Sequence, residues 1–140
     1  MKMCRRSVVL TLLSLLVFSA CTINQPSHFT DLEGFPSQDD IRSITVISFA
    51  EEDDLKLGMT QLEPEVAATF YSLLTDVDIR NGTYEGGEEY SVRLQTNEET
   101  FRFLLNVHGN ILINGEAFHG TNTEELLSFI QHVDDWDYLE

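Results

Sequence analysis

Cysteine is almost missing from this chain of 140 residues, which holds only Cys4 and Cys21. That excludes a disulfide scaffold, so the fold must rest on packing alone. Basic side chains are scarce too, 8 Lys and Arg against 24 Asp and Glu, for a net charge of −16. Such a field repels nucleic acid and anionic headgroups, and it attracts cationic partners or divalent metals. Enzyme signatures are missing as well. The chain has no Gly-x-Ser-x-Gly elbow, no His-Glu-x-x-His helix, no phosphate loop and no dinucleotide fingerprint. No internal repeat or low-complexity tract occurs.

What is there begins with grease. Lys2, Arg5 and Arg6 precede an uncharged run from Ser7 to Ala20, "SVVLTLLSLLVFSA", and small residues close it. A positive flank, a short apolar core and small residues compose a secretory signal peptide. The run falls short of the roughly 20 apolar residues that a spanning helix needs. Ser19-Ala20-Cys21 resembles the bacterial lipobox, with Phe18 where that pattern usually has Leu. The resemblance implies cleavage before Cys21, a diacylglycerol on its sulfur and, in many bacteria, a further acyl chain such as palmitate on its amine. Each buried methylene contributes about 0.8 kcal/mol, so two or three chains hold where one would leak. An unmodified Cys21 would instead be an unpaired thiol in an oxidising compartment. Thr22 stands where Asp resembles an inner-membrane retention signal, so a Gram-negative host would send the protein to its outer membrane.

The expected organisation is therefore a signal peptide over residues 1–20, a lipidated Cys21 with a flexible tether to residue 40, and one domain over residues 41–140. Thr22 to Asp40 mixes polar residues with Pro26, Gly34 and Pro36 and shows no period. A free tether of that length would reach about 25 Å.

Within the domain, "IRSITVISF" is rich in β-branched residues and apolar on both faces, as a central strand would be. "EEDDLKLGMTQ" follows as a charged loop. Pro64 opens a helix whose apolar face comprises Val66, Ala67, Phe70, Leu73, Leu74 and Val77. Tyr90, Val92 and Leu94 alternate with polar residues, and Phe101, Phe103, Leu105 and Val107 share one strand face. Gly109-Asn110 and Asn114-Gly115 supply turns, the second a hairpin signal, so these strands form an antiparallel meander. Thr121 with Glu124 fits a capping box before a last helix striped by Leu126, Leu127, Ile130 and Val133. The order predicts a single α+β domain, mainly antiparallel, with both helices on one face of the sheet. The string "FRFLLNVHGNILINGEAFHGTNTEELLSFI" and this element order resemble the small YhfM-like lipoprotein domains of Gram-positive bacteria. That resemblance implies the same architecture from about Ser43 to Val133, and it brings no catalytic residues.

Candidate chemistry is thin. His108 and His119 each precede a Gly near a turn, and with Glu116 they could gather at zinc, although no close ligand spacing supports a metal. "DVDIRNGTYEGGEE" echoes a calcium loop, but its register fails where the Gly and the last Glu are required. Glu51, Glu52, Asp53 and Asp54 form the densest charge cluster and could receive a basic partner. Tyr84 and Trp136 could belong to the core or to an exposed patch.

The reading that results is a membrane-anchored, extracytoplasmic bacterial lipoprotein with a small non-catalytic binding domain and no cofactor. Its alternatives are an immunity or exclusion lipoprotein that intercepts a cationic peptide or toxin, and an enzyme of unrecognised type.

Overall fold

The computed structural model describes residues 25–49, 58–87, 90–134 and 136–138. Cys21 and the Glu51–Asp54 cluster lie outside the described residues. The elements run β1 (Ser43–Ser48), β2 (Gly58–Gln61), α1 (Pro64–Thr75), β3 (Asp78–Asn81), β4 (Tyr90–Gln95), β5 (Thr100–Leu105), β6 (Asn110–Ile113), β7 (Glu116–Thr121), α2 (Glu124–Gln131) and β8 (Asp137–Tyr138). Every strand pairing is antiparallel, in one eight-stranded sheet of order β3-β7-β6-β5-β4-β1-β2-β8. The chain is an α+β domain.

Side chains alternate across a strand, so register decides which residues share a face. Ile44 faces Leu94, Val46 faces Val92, and Leu94 and Val92 in turn face Phe101 and Phe103. Leu105 faces Ile111, which faces Phe118. All of these are buried, on one and the same face. The two helices lay Phe70 and Leu74, and Leu126, Leu127 and Ile130, into the same core, and their own contact includes Phe70 against Phe129 at 6.0 Å. Pro64 holds the first helical position of α1, as expected. Asn114 and Gly115 take φ of 50° and 82°, the left-handed pair that a tight hairpin of this hand requires.

Three expectations change. The capping box does not form: Thr121 ends β7, and α2 starts after Thr123, which makes no side-chain cap bond. Gly58–Gln61 and Asp78–Asn81, expected as loop, are strands, since a pairing partner can recruit short polar segments that lack a pattern of their own.

The largest correction concerns the tether. From Gln25 onward the chain is packed on the domain. Phe29 is fully buried and meets Phe103 at 5.0 Å, and Phe35 sits edge-on to Phe101 at 5.3 Å and stacks on Tyr71. The Tyr71 hydroxyl donates to the Pro36 carbonyl at 3.0 Å, and burial pushes its pKa up. Two short 3₁₀ turns, Phe29–Asp31 and Gln38–Asp40, fold the segment, which pairs with β3 through His28 and Asp78. The His28 Nε2 lies 2.8 Å from an Asp78 carboxylate oxygen. The Asp31 carboxylate accepts the N–H groups of Ser27 and His28 at 3.0 and 3.1 Å, and these bonds hold its pKa below the usual carboxylate range. Pro, Gly and polar residues gave this stretch the look of a linker, and two aromatic side chains override them.

A free tether would tolerate truncation at Phe29. Phe29→Ala is instead expected to cost about 3–5 kcal/mol in urea melts, as is Phe70→Ala in α1. A loss below about 0.5 kcal/mol for Phe29 would return the segment to a linker. Because the folded pKa of Asp31 is lowered, its contribution is present above the ordinary carboxylate range and is lost as pH falls through the lowered value. Amide exchange at Ser27 and His28 should therefore rise in acid, and Asp31→Asn should show no such step.

Candidate binding surface

Helices and N-terminal segment cover one face of the sheet, and among the described residues no helix covers the other. Its residues follow from the register in rows across the strands, three of which make up the candidate surface. The first row runs Gln61, Thr45, Arg93, Arg102. Arg93 and Arg102 are directly opposed on β4 and β5, the two central strands of the sheet. The second row runs Met59, Ile47, Ser91, Leu104, Leu112, Ala117. It is an apolar strip interrupted only by Ser91; Met59 is 40 % exposed, and Ile47, Leu104, Leu112 and Ala117 are half-buried. The third row places Asn110 beside His119 and His119 beside Arg80.

Like charges directly opposed across strands destabilise a sheet, by some tenths of a kcal/mol. In a chain with 24 acidic residues, a carboxylate opposite either arginine would remove that cost. None is there: both ion pairs among the described residues are made by His28. The Nε–H of Arg93 is out of water and has no hydrogen-bond partner among the described residues. Buried donors are nearly always paired, because an unpaired one costs about 1–3 kcal/mol. Among the described residues the pair is thus poorly served, and its exposed ends are placed to receive an acceptor from outside.

The third row is built differently. Asn106 is fully buried; its Oδ1 accepts the N–H groups of His108 and Asn110 at 3.0 Å, and its Nδ2 donates to the Glu85 carbonyl at 2.9 Å. Asn110 Nδ2 donates to the same carbonyl at 2.8 Å. The two amides clamp the loop after β3 over this end of the sheet. With its Nδ2 so committed, Asn110 presents Oδ1 to His119 Nδ1 at 3.5 Å, a long contact that favours a proton on Nδ1. Gly82 lies where a Cβ would come within 3.0–3.2 Å of the His119 and Phe118 backbone, so a side chain there would push the loop and β7 apart by some tenths of an ångström. Between loop and row lies a cleft of about 750 Å³ lined by Arg80, Asn81, Thr83, Glu85, His108 and His119.

His108 and His119 are thus brought to one cleft, as their turn positions suggested. Glu116 is not: it lies three positions from His119 on β7, an odd offset that puts it on the other face. Among the described residues no group of three metal-ligating side chains forms. Tyr84 and Trp136 are both half-buried, and Trp136 packs against the core. The arginine pair went unnoticed in the sequence, although counting back from the turn Thr96–Glu99 would have opposed Arg93 to Arg102. No family model, curated protein or solved structure matches this chain.

Replacing Arg93 by Met keeps the arm and removes both the repulsion and the unpaired donor. Arg93→Met should stabilise the free protein by about 0.5–1 kcal/mol in urea melts. Destabilisation of that size would mean that the guanidinium is satisfied within the fold.

Proposed function

We propose that this chain is a bacterial lipoprotein, anchored through lipid on Cys21 in the cell membrane or outer membrane, whose single non-catalytic domain binds a partner at the envelope through the open face of its sheet. Arg93 and Arg102, opposed across β4 and β5 with no ion pair among the described residues and set beside an apolar strip, carry this reading. A partner that sets carboxylates among apolar side chains would satisfy both arginines and bury the strip. The resemblance to YhfM-like lipoprotein domains and the signal-peptide pattern of residues 1–21 support the anchoring half.

A second reading, capture of a cationic peptide or toxin in an immunity or exclusion role, is supported by the other layer. Glu63, Glu65, Asp76, Glu124 and Glu125 are exposed on and beside the helices, and Glu51, Glu52, Asp53 and Asp54 would add to them. Salt weakens either mode, because exposed charges are screened beyond about 8–10 Å at physiological ionic strength. Charge reversal separates them: Arg102→Glu should abolish binding of an acidic partner and leave capture of a cationic one intact.

The anchor is tested by Cys21→Ser, which should leave an unprocessed precursor or release protein from the membrane fraction. Wild-type maturation and retention of that variant would overturn the lipoprotein reading. Turnover of a small substrate by the purified protein, lost on mutating one residue, would overturn the non-catalytic one.

A further inference from the structure

We propose that the cleft between the loop after β3 and the Asn110–His119–Arg80 row is a binding site for a phosphate group carried on an ester. Arg80 and His119 are direct cross-strand neighbours, which sets their Cβ atoms about 5 Å apart. His108 reaches the same cleft from the turn before β6. Arg80 has no ion-pair partner among the described residues, so its planar fork of donors is uncommitted. The imidazole of His119 is oriented by Asn110, and that contact occupies Nδ1. Nε2 is left as the ring's other polar atom. An imidazolium would then donate Nδ1–H to Asn110 and Nε2–H to an anion, while Arg80 supplies a second charge-assisted contact.

The scaffold under these groups is rigid, since Asn106 and Asn110 spend their polar atoms on Glu85, His108 and each other. Gly86, at φ 99°, and Gly82 bring bare backbone to the wall of the cleft. Glu85 is the one carboxylate among the lining residues and is the group that an anion must avoid. The cleft's volume exceeds that of a bare phosphate, leaving room for the alcohol it esterifies.

The position of the cleft points to a lipid headgroup as the source, and this part rests on the anchoring reading. The N–H of Ile79 donates to the Ser27 carbonyl at 2.8 Å, and His28 bridges Asp78, so the chain runs back along β3 towards Asn81 and the cleft. Four residue steps separate Gln25 from Cys21, a reach of about 14 Å at full extension. A domain held that closely has headgroup phosphates within range of Arg80.

The test uses the full chain in neutral detergent, titrated with inorganic phosphate against chloride at constant ionic strength, with the histidine ring resonances followed by NMR. Saturable shifts of His119 are expected, weakened about tenfold by Arg80→Gln and by His119→Gln, the loss of one charge-assisted contact each. Arg42→Gln, which removes the same charge outside the cleft, should leave the titration unchanged. Equal weakening by all three, or no saturation, would overturn the site. A second arm measures binding of the unlipidated Cys21→Ser chain to phosphatidylcholine vesicles with and without phosphatidylglycerol. Dependence on phosphatidylglycerol that Arg80→Gln removes supports the lipid source. Saturation by phosphate without it keeps the site and overturns the lipid source. Membrane retention of lipidated wild type against Cys21→Ser reports on the anchor separately, so the two failures are distinct.

Discussion

Coverage of a single sheet face is the constraint on which this structure depends. Seven strand spacings of about 4.8 Å make the sheet roughly 34 Å wide. Helices of 12 and 8 residues are about 18 and 12 Å long and about 10 Å across, too small together to roof that width. The missing cover comes from ahead of β1, where Phe29, Leu32 and Phe35 pack on the core. Phe29 sits against Phe103 on a central strand, so the segment fills the middle of the molecule and not its margin.

The same constraint explains what the sequence disclosed. Where a segment buries one face against a large neighbour, its own periodicity records the fact, as in α1 and in the alternation of β4 and β5. Asn114-Gly115 was equally plain, because its conformation is local. Strands β2, β3 and β8 are short and lie at or near the sheet margins, so partners define them more than their own residues do. The Gln25–Asp40 stretch carries its burial in isolated aromatics among turn residues, with no repeat to read. The site was less legible still. Arg93 and Arg102 read as ordinary polar positions until register sets them face to face, and the Asn106–Asn110 clamp depends on a loop that begins more than twenty positions earlier.

Charge is sorted by layer. Three of the four described arginines, Arg80, Arg93 and Arg102, stand on the open face, where Asp78 and Asp137 lie at its two margins, while most other described carboxylates fringe the helices and loops. A chain with a net charge of −16 thereby keeps one surface that an anion can approach. At a Debye length of about 8 Å the distant carboxylates are largely screened from that surface, and the local arginines decide what it meets.

The pairing of Ser27 and His28 with β3 has a mechanical side. Edge strands with free N–H and C=O groups invite other chains to add to them, and here the protein's own leading segment occupies that margin. Any pull on the residues ahead of Gln25 therefore enters the sheet at β3 and is resisted next by the buried ring of Phe29. If Cys21 carries lipid, as proposed above, the domain hangs on only the four residue steps to Gln25, too few for it to swing as a ball on a string. It would stand on the membrane in a restricted set of orientations, and a partner drawing it away would strain the sheet before it lengthened the leash.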